Sequence, residues 1–134
     1  MHLRVLGVSV VVAACLVSPS LAGTVDLQVT VWPKGKEAGD AVTWSLSCGP
    51  AVGTLPRPGR ACRLLRALRD PFAPVPPDEI CTQIYGGPQE ALVTGSFRGH
   101  AVRARFNRKN GCEIARWNRV RFLLPGAVAA ADSR

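Results

Sequence analysis

Acidic residues and histidines are scarce in this chain of 134 residues, which has nine Asp and Glu, 17 Lys and Arg, and two His. The carboxylates are scattered, and no group of His, Asp and Glu has the spacing of a metal site. There is no glycine-rich phosphate loop, and the serine of "GSFRG" (95–99) stands in the wrong slot for a nucleophile elbow. His100 falls within a predicted strand, which indicates an ordinary half-exposed residue. These absences predict a protein that is not an enzyme and needs no cofactor.

Long apolar runs are also lacking, since the run from Leu6 to Val17 is too short for a good membrane span. It follows the basic Arg4 and precedes Ser20-Leu21-Ala22, the small-x-small pattern that a signal peptidase recognises. Residues 1–22 are therefore predicted to be a signal peptide for secretion. We expect one domain over 23–125 and a disordered tail over 126–134.

A second interpretation of the leader stays open. Val12-Ala13-Ala14-Cys15 resembles a bacterial lipobox, in which the cysteine is lipidated and becomes the first mature residue. The protein would then be a lipoprotein on the outer face of the cell membrane. Membrane attachment is expected only if Cys15 is lipidated.

Four cysteines follow the leader: Cys48, Cys62, Cys81 and Cys112. No C-x-x-C pair occurs among them, which argues against zinc. An even number in a small exported domain predicts two disulfides, with three connectivities open. Local pairing of Cys48 with Cys62 and of Cys81 with Cys112 is the simplest. In the chain-entropy model these bonds contribute about 3 and just under 4 kcal/mol.

Alternation of apolar and polar residues predicts strands at 24–32, 41–48, 99–106 and 118–124. Residues 60–70 are predicted to form an amphipathic helix, because Ala61, Leu64, Leu65 and Leu68 fall within an arc of about 100°. Residues 89–95 are expected to be a short connection, and 107–117 a loop with one helical turn.

The net charge of +8 raises the question of a nucleic-acid partner. The arginines of the predicted helix are spread too widely round its exposed side to track a phosphate backbone. A second group, Arg103, Arg105, Arg119 and Arg121, is predicted to share one face of the sheet. No aromatic residues lie between them to stack on bases, so no nucleic-acid partner is expected.

The stretch "ICTQIYGGP" (80–88) places bulky residues directly after a cysteine and before a Gly-Gly-Pro turn. If a disulfide holds Cys81, the segment Thr82–Tyr85 is kept extended and outward. A protease binds its substrate as an extended strand, and a loop already in that shape loses little entropy on binding. A tethered amine also has a very high effective concentration, so religation competes with hydrolysis after a cut. This is the physical basis of a substrate-like inhibitor.

Several motifs of the chain resemble the Streptomyces subtilisin inhibitor-like family. "CGPAVGTLP" (48–56) is similar to the family pattern C-x-P-x-x-G-x-H-P, with Leu55 in place of the usual histidine. The remaining matches are Ala61-Cys62, the C-x-x-x-Y formed by Cys81 and Tyr85, Gly95 and Gly99 of the following hairpin, and the N-x-C formed by Asn110 and Cys112.

This resemblance implies an α+β fold with a five-stranded antiparallel sheet, two short helices and the disulfides Cys48–Cys62 and Cys81–Cys112. It implies a secreted inhibitor of extracellular subtilisin-like serine proteases, and for some members of trypsin-like ones, that commonly dimerises through the sheet. The reactive loop would be Cys81, Thr82, Gln83, Ile84 and Tyr85, with Gln83–Ile84 as the scissile bond. Asn110 corresponds to the asparagine that supports the loop.

The chain departs from the family at Gln83, where lysine or methionine is frequent, and at Arg108, where an aromatic residue is frequent. One extra residue also lies between Tyr85 and Gly99. These departures predict a softer loop and weak action on trypsin, because an amide cannot pair with a buried acid as lysine does. The alternative function is a non-inhibitory binding protein of the same fold, as a cell-surface lipoprotein.

Overall fold

The computed structural model describes residues 10–16 and 24–126. The predicted signal cleavage after Ala22 lies outside the described residues, as does the predicted disordered tail except for Gly126. The main elements are β1 (Val25–Trp32), β2 (Val42–Cys48), α1 (Pro58–Ala67), β3 (Glu90–Phe97), β4 (His100–Phe106) and α2 (Gly111–Val120). Single 3-10 turns lie at Lys36–Ala38 and Arg121–Leu123.

The strands form one antiparallel sheet in the order β2-β1-β3-β4. The predicted α+β class with an antiparallel sheet, two helices and two disulfides is therefore confirmed. The predicted number of five strands is wrong, since the sheet has four strands within the described part of the chain.

The strand predicted at 118–124 is not a strand. These residues continue α2 and then form the 3-10 turn Arg121–Leu123. Trp117, Val120 and Leu123 are buried, and their spacing of three places them on one face of a helix rather than on one face of a strand. Consequently Arg119 and Arg121 lie outside the sheet and do not share a face with Arg103 and Arg105.

The segment predicted as a short connection at 89–95 is most of β3, which lies between β1 and β4. Ala91 and Val93 are buried there and alternate with half-buried residues, as the period of a strand requires. Gly95 has φ +127, and a Cβ at this position would collide with the carbonyl oxygen of Asp26 on β1. Gly95 therefore permits β1 and β3 to lie close together, and it does not mark the end of a strand.

The core lies between one face of the sheet and the two helices, α1 against β2 and α2 against β4. Its buried side chains include Leu27, Val29, Val31, Leu46, Ala61, Leu65, Val93, Phe106, Trp117 and Val120. The observed α1 begins two residues before the predicted helix, at Pro58, because proline suits the first turn. Its arginines are exposed, as predicted.

Both predicted disulfides are present. Cys48, at the end of β2, is bonded to Cys62 in α1 with a Cα–Cα distance of 5.8 Å. Cys81 is bonded to Cys112, in the first turn of α2, with a Cα–Cα distance of 5.3 Å. No helix within residues 10–16 and 24–126 is long and apolar enough to cross a membrane.

Candidate functional site

A proline-rich arm, residues 71–80, brings the chain from α1 to Cys81. The side chain of Arg116 in α2 holds the start of this arm: its Nε donates to the carbonyl oxygen of Ala73 at 2.9 Å. Its Nη1 donates to the carbonyl oxygen of Arg105 on β4 at 3.1 Å and pairs with Glu113 at 2.7 Å. Since the Arg116 side chain is only 12% exposed, water screens these contacts little. The arm is thus fixed to a helix and a strand at once.

The segment after the arm is attached to α2 but faces solvent. Cys81 is partly buried and bonded to Cys112, whereas Thr82, Gln83, Ile84 and Tyr85 are all exposed. Ile84 is 56% exposed and Tyr85 67% exposed. Apolar side chains that are exposed next to one another form a patch of the kind that marks contact with a partner.

Hydrogen bonds fasten the exposed segment at both ends. On the N-terminal side the N–H of Gly111 donates to the carbonyl oxygen of Thr82 at 2.9 Å. On the C-terminal side the N–H of Gly86 donates to the carbonyl oxygen of Arg108 at 2.7 Å, and the Nε of Arg108 donates to the carbonyl oxygen of Gly86 at 3.1 Å. Gln83 and Ile84 therefore lie between two anchored residues.

Two glycines allow the segment to lie close to α2. A Cβ on Gly111 would lie 2.6 Å from the Oγ1 of Thr82, and a Cβ on Gly86 would lie 2.8 Å from the Cδ1 of Ile114. Both distances are shorter than van der Waals contact. A side chain at either glycine would therefore require Thr82 or Ile114 to move.

Asn110, predicted to support the loop, is the N-cap of α2. Its Oδ1 accepts from the N–H of Glu113 at 3.0 Å, a typical capping bond. The cap sets the first turn of the helix, which contains Gly111 and Cys112. Asn110 thus orients the two residues that hold the loop, whereas the direct hydrogen bonds to the loop come from Gly111 and Arg108.

The main chain turns at Gln83, so the predicted extended conformation of Thr82–Tyr85 is wrong at this residue. The N–H of Ile84 donates to the carbonyl oxygen of Thr82 at 2.9 Å, which closes a three-residue turn with Gln83 at its centre. The Nε2 of Gln83 donates to the carbonyl oxygen of Cys81 at 3.2 Å, so the side chain lies back along its own backbone. That short-range bond must break before the side chain can enter a pocket of another protein.

Three features of this site were missed in the sequence. Ile80, one residue before Cys81, is 97% exposed and continues the exposed apolar series of Ile84 and Tyr85. Arg108 had been counted as a departure that softens the loop, yet it bonds Gly86 through both its main chain and its side chain. Gly111 stood inside a predicted loop. Of these three features, only the exposure of Ile80 could have been found in the sequence, because the residue directly follows a run of prolines and acidic residues.

The other predicted residues lie elsewhere. Cys15 is exposed and, among the described cysteines, is the one without a disulfide. The Cys48–Cys62 bond joins β2 to α1 and has no part in the exposed segment.

Comparison with known protein families identifies the family of the chain. The family described as "Subtilisin inhibitor-like" matches residues 22–110, most of the sequence, and the chain belongs to this family. Membership groups the protein with inhibitors rather than enzymes and implies a protease as its partner. The match ends before Cys112, so the second disulfide is established by the structure. No curated protein matches the chain.

Proposed function

We propose that the protein is a secreted inhibitor of subtilisin-like serine proteases that presents Cys81–Tyr85 as a substrate-like loop. The observation that carries this proposal is an exposed segment anchored on both sides, by the Cys81–Cys112 bond and by the Arg108–Gly86 hydrogen bonds. A segment held in this way loses little conformational entropy when a protease binds it. The proposed reactive bond is Gln83–Ile84.

The anchors also explain how the loop would survive cleavage. Attack on the carbonyl carbon of Gln83 gives an acyl-enzyme and frees the amine of Ile84. The disulfide and the Gly111–Thr82 bond hold the acyl side, while the paired Gly86 and Arg108 hold the amine side. Effective concentrations for well-oriented groups reach about 10⁵ M or more, so the amine attacks the acyl carbon before the complex separates. Religation restores the intact inhibitor.

The contact surface favours an enzyme with broad apolar pockets. Ile80, Ile84 and Tyr85 are exposed and uncharged, and Gln83 offers an uncharged amide to the primary pocket. Burying that amide lowers affinity unless the pocket supplies a hydrogen bond. No cation is offered to an acidic pocket, so we expect weak action on trypsin-like enzymes.

The proposed function is tested by titrating subtilisin with the mature secreted protein. We expect residual activity to fall linearly to zero near a 1:1 molar ratio, with little effect on trypsin. After long incubation, mass spectrometry is expected to find a cut between Gln83 and Ile84. Rapid digestion without inhibition, or a stable complex cut at a different bond, would show that the loop assignment is wrong.

We also propose that two copies associate through the outer face of the sheet. No described element covers this face, and the contact is proposed over its uncharged part on β1 and β2, which includes Gln28, Thr30 and Thr43. Sedimentation at several concentrations tests this: we expect a dimer that Thr30→Arg dissociates, because the substitution adds a charge at the centre of the face.

For the location we propose release from the cell after cleavage behind Ala22. Lipidation at the exposed Cys15 is the alternative. The protein would then be a surface lipoprotein that binds a partner without inhibiting a protease. The mass of the mature N-terminus separates the two, because only lipidation leaves Cys15 as the first residue and adds acyl chains.

A further inference from the structure

The two edges of the sheet differ in whether their main chain is paired. Along the β2 edge, Ser47 and Val52 exchange hydrogen bonds of 2.8 and 2.9 Å. The carbonyl oxygen of Ser45 accepts from the N–H of Leu55 at 3.0 Å, and the N–H of Ser45 donates to the Oγ1 of Thr54 at 2.8 Å. The segment after β2 thus covers most of that edge.

The β4 edge stays open along two of its residues. In an antiparallel pair both main-chain groups of a residue point either toward the neighbouring strand or away from it, in alternation. The carbonyl oxygen of Arg105 accepts from Arg116 of α2 and so points away from β3. By the period of two, the main-chain groups of Ala101 and Arg103 also point away. Outside the β3–β4 ladder, the main chain of neither residue forms a hydrogen bond among the described residues.

An apolar groove of about 820 Å³ runs beside this edge, between the proline-rich arm and β4. Phe72, Phe97, Val102 and Ala104 form its floor, with the rings of Phe72 and Phe97 edge to face at 5.3 Å. Phe97, Val102 and Ala104 belong to the inner face of the sheet, and Phe72 of the arm packs on Phe97. A strand added beside β4 would therefore place every second side chain over the groove.

The surroundings of the open edge are positively charged. Arg103 and Arg105 are exposed on the outer face of β4 and form no ion pair within the described residues. Arg69 lines the groove, which has Asp70 as its one carboxylate. Pairing β4 with a second copy of itself would bring these arginines against the same arginines of a chain whose net charge is also +8, so a self-pair is disfavoured.

We propose that the β4 edge binds an extended segment of another protein in which acidic and apolar residues alternate. The main chain of this segment pairs with Ala101 and Arg103, as in strand addition to a sheet. Its apolar side chains lie in the groove over Phe72, and its carboxylates lie on the outer face beside Arg103 and Arg105. The site shares no residue with Cys81–Tyr85 and is independent of protease inhibition.

The test uses two synthetic peptides, Glu-Val-Glu-Val-Glu and Lys-Val-Lys-Val-Lys, with the mature protein. Chemical shifts and amide exchange are followed by NMR. We expect the acidic peptide to shift the residues of β4 and to slow exchange at the N–H groups of Ala101 and Arg103 about tenfold. The lysine peptide is expected to do neither.

Two variants isolate the edge. Arg103→Glu is expected to weaken the acidic peptide about five- to tenfold, because it turns an attractive cross-strand pair into a repulsive one. Ala101→Pro removes an outward N–H without touching the β3 ladder and is expected to weaken the peptide similarly. Arg63→Glu, an exposed arginine on α1, makes the same change in net charge and is expected to leave binding intact.

Three results would overturn the proposal: no protection of either amide, equal weakening by Arg63→Glu and Arg103→Glu, or protection that rises with protein concentration without peptide. The last would assign the edge to a second copy. Both edge variants are expected to inhibit subtilisin like the parent protein, so failure at the edge is distinguishable from failure of the loop.

Discussion

Removing the bond between Cys81 and Cys112 tests the tether on which inhibition is proposed to depend. The sequence separation is 31 residues, for which the chain-entropy model gives a stabilisation of about 3.7 kcal/mol. The separation of 14 residues between Cys48 and Cys62 gives about 3 kcal/mol. Replacing either pair with alanine should therefore lower the free energy of unfolding by similar amounts. The variant without the Cys48–Cys62 bond is therefore a control of closely matched stability.

The two variants are expected to differ sharply toward a protease. Without the Cys81–Cys112 bond, the acyl side of a cut Gln83–Ile84 bond is held near the cut by the Gly111–Thr82 hydrogen bond, and the Arg116–Ala73 bond lies nine residues further upstream. Religation then loses to hydrolysis, and the variant should become a substrate. Without the Cys48–Cys62 bond the loop keeps both anchors, and inhibition should persist while the domain is folded.

Urea titration first gives the unfolding midpoint of each variant. Each variant is then incubated with subtilisin at a urea concentration below its own midpoint, and the recovery of protease activity is followed. We expect activity to return within minutes to hours for the Cys81→Ala/Cys112→Ala variant and to stay low for the control. If both variants inhibit equally long while folded, the disulfide is not the tether and the proposed mechanism is refuted. If both recover equally fast, general destabilisation explains the loss.

Three further predictions concern single side chains. Gln83→Lys is expected to gain trypsin inhibition, because a cation then meets the acidic pocket of that enzyme, while Gln83→Met is expected to gain none. If the lysine variant does not inhibit trypsin, Gln83 is not the residue that enters the primary pocket. Arg108→Ala removes the side-chain bond to Gly86 and should speed cleavage of the loop about tenfold. Arg63→Ala, at an exposed arginine on α1, is expected to leave cleavage unchanged. Ile80→Ser should weaken the subtilisin complex about tenfold without loss of folding stability, since the residue is 97% exposed. Val52 is another exposed apolar residue, and equal weakening by Val52→Ser would contradict a specific contact at Ile80.

Local sequence was informative wherever a single periodicity decided the structure. The alternation in β1, β2 and β4 predicted these strands, because one buried face forces a period of two. The cysteine count and the local pairing led to the two disulfides that the structure contains. Exposure of Thr82–Tyr85 followed from the flanking prolines and glycines, which stop the segment from joining a helix or a sheet.

The sequence misled where neighbours in space override local signals. β3 contains Gly95, which indicates a break in isolation but fits here because β1 passes too close for a side chain. The apolar residues Val120 and Phe122 are two positions apart, which by itself fits one face of a strand. With Trp117 and Leu123 they pack as a helix, and the Asn110 cap starts that helix upstream.

Residue types alone therefore indicated the family and the exposed segment between a cysteine and a glycine turn, and they gave the two disulfides as the simplest of three connectivities. Only the tertiary structure decided what lies beneath that segment and which sheet edge stays open. Arg108 meets Gly86 across 22 residues of chain, and Arg116 meets Ala73 across 43. Contacts between such distant residues depend on how helices pack on the sheet, which no local pattern encodes.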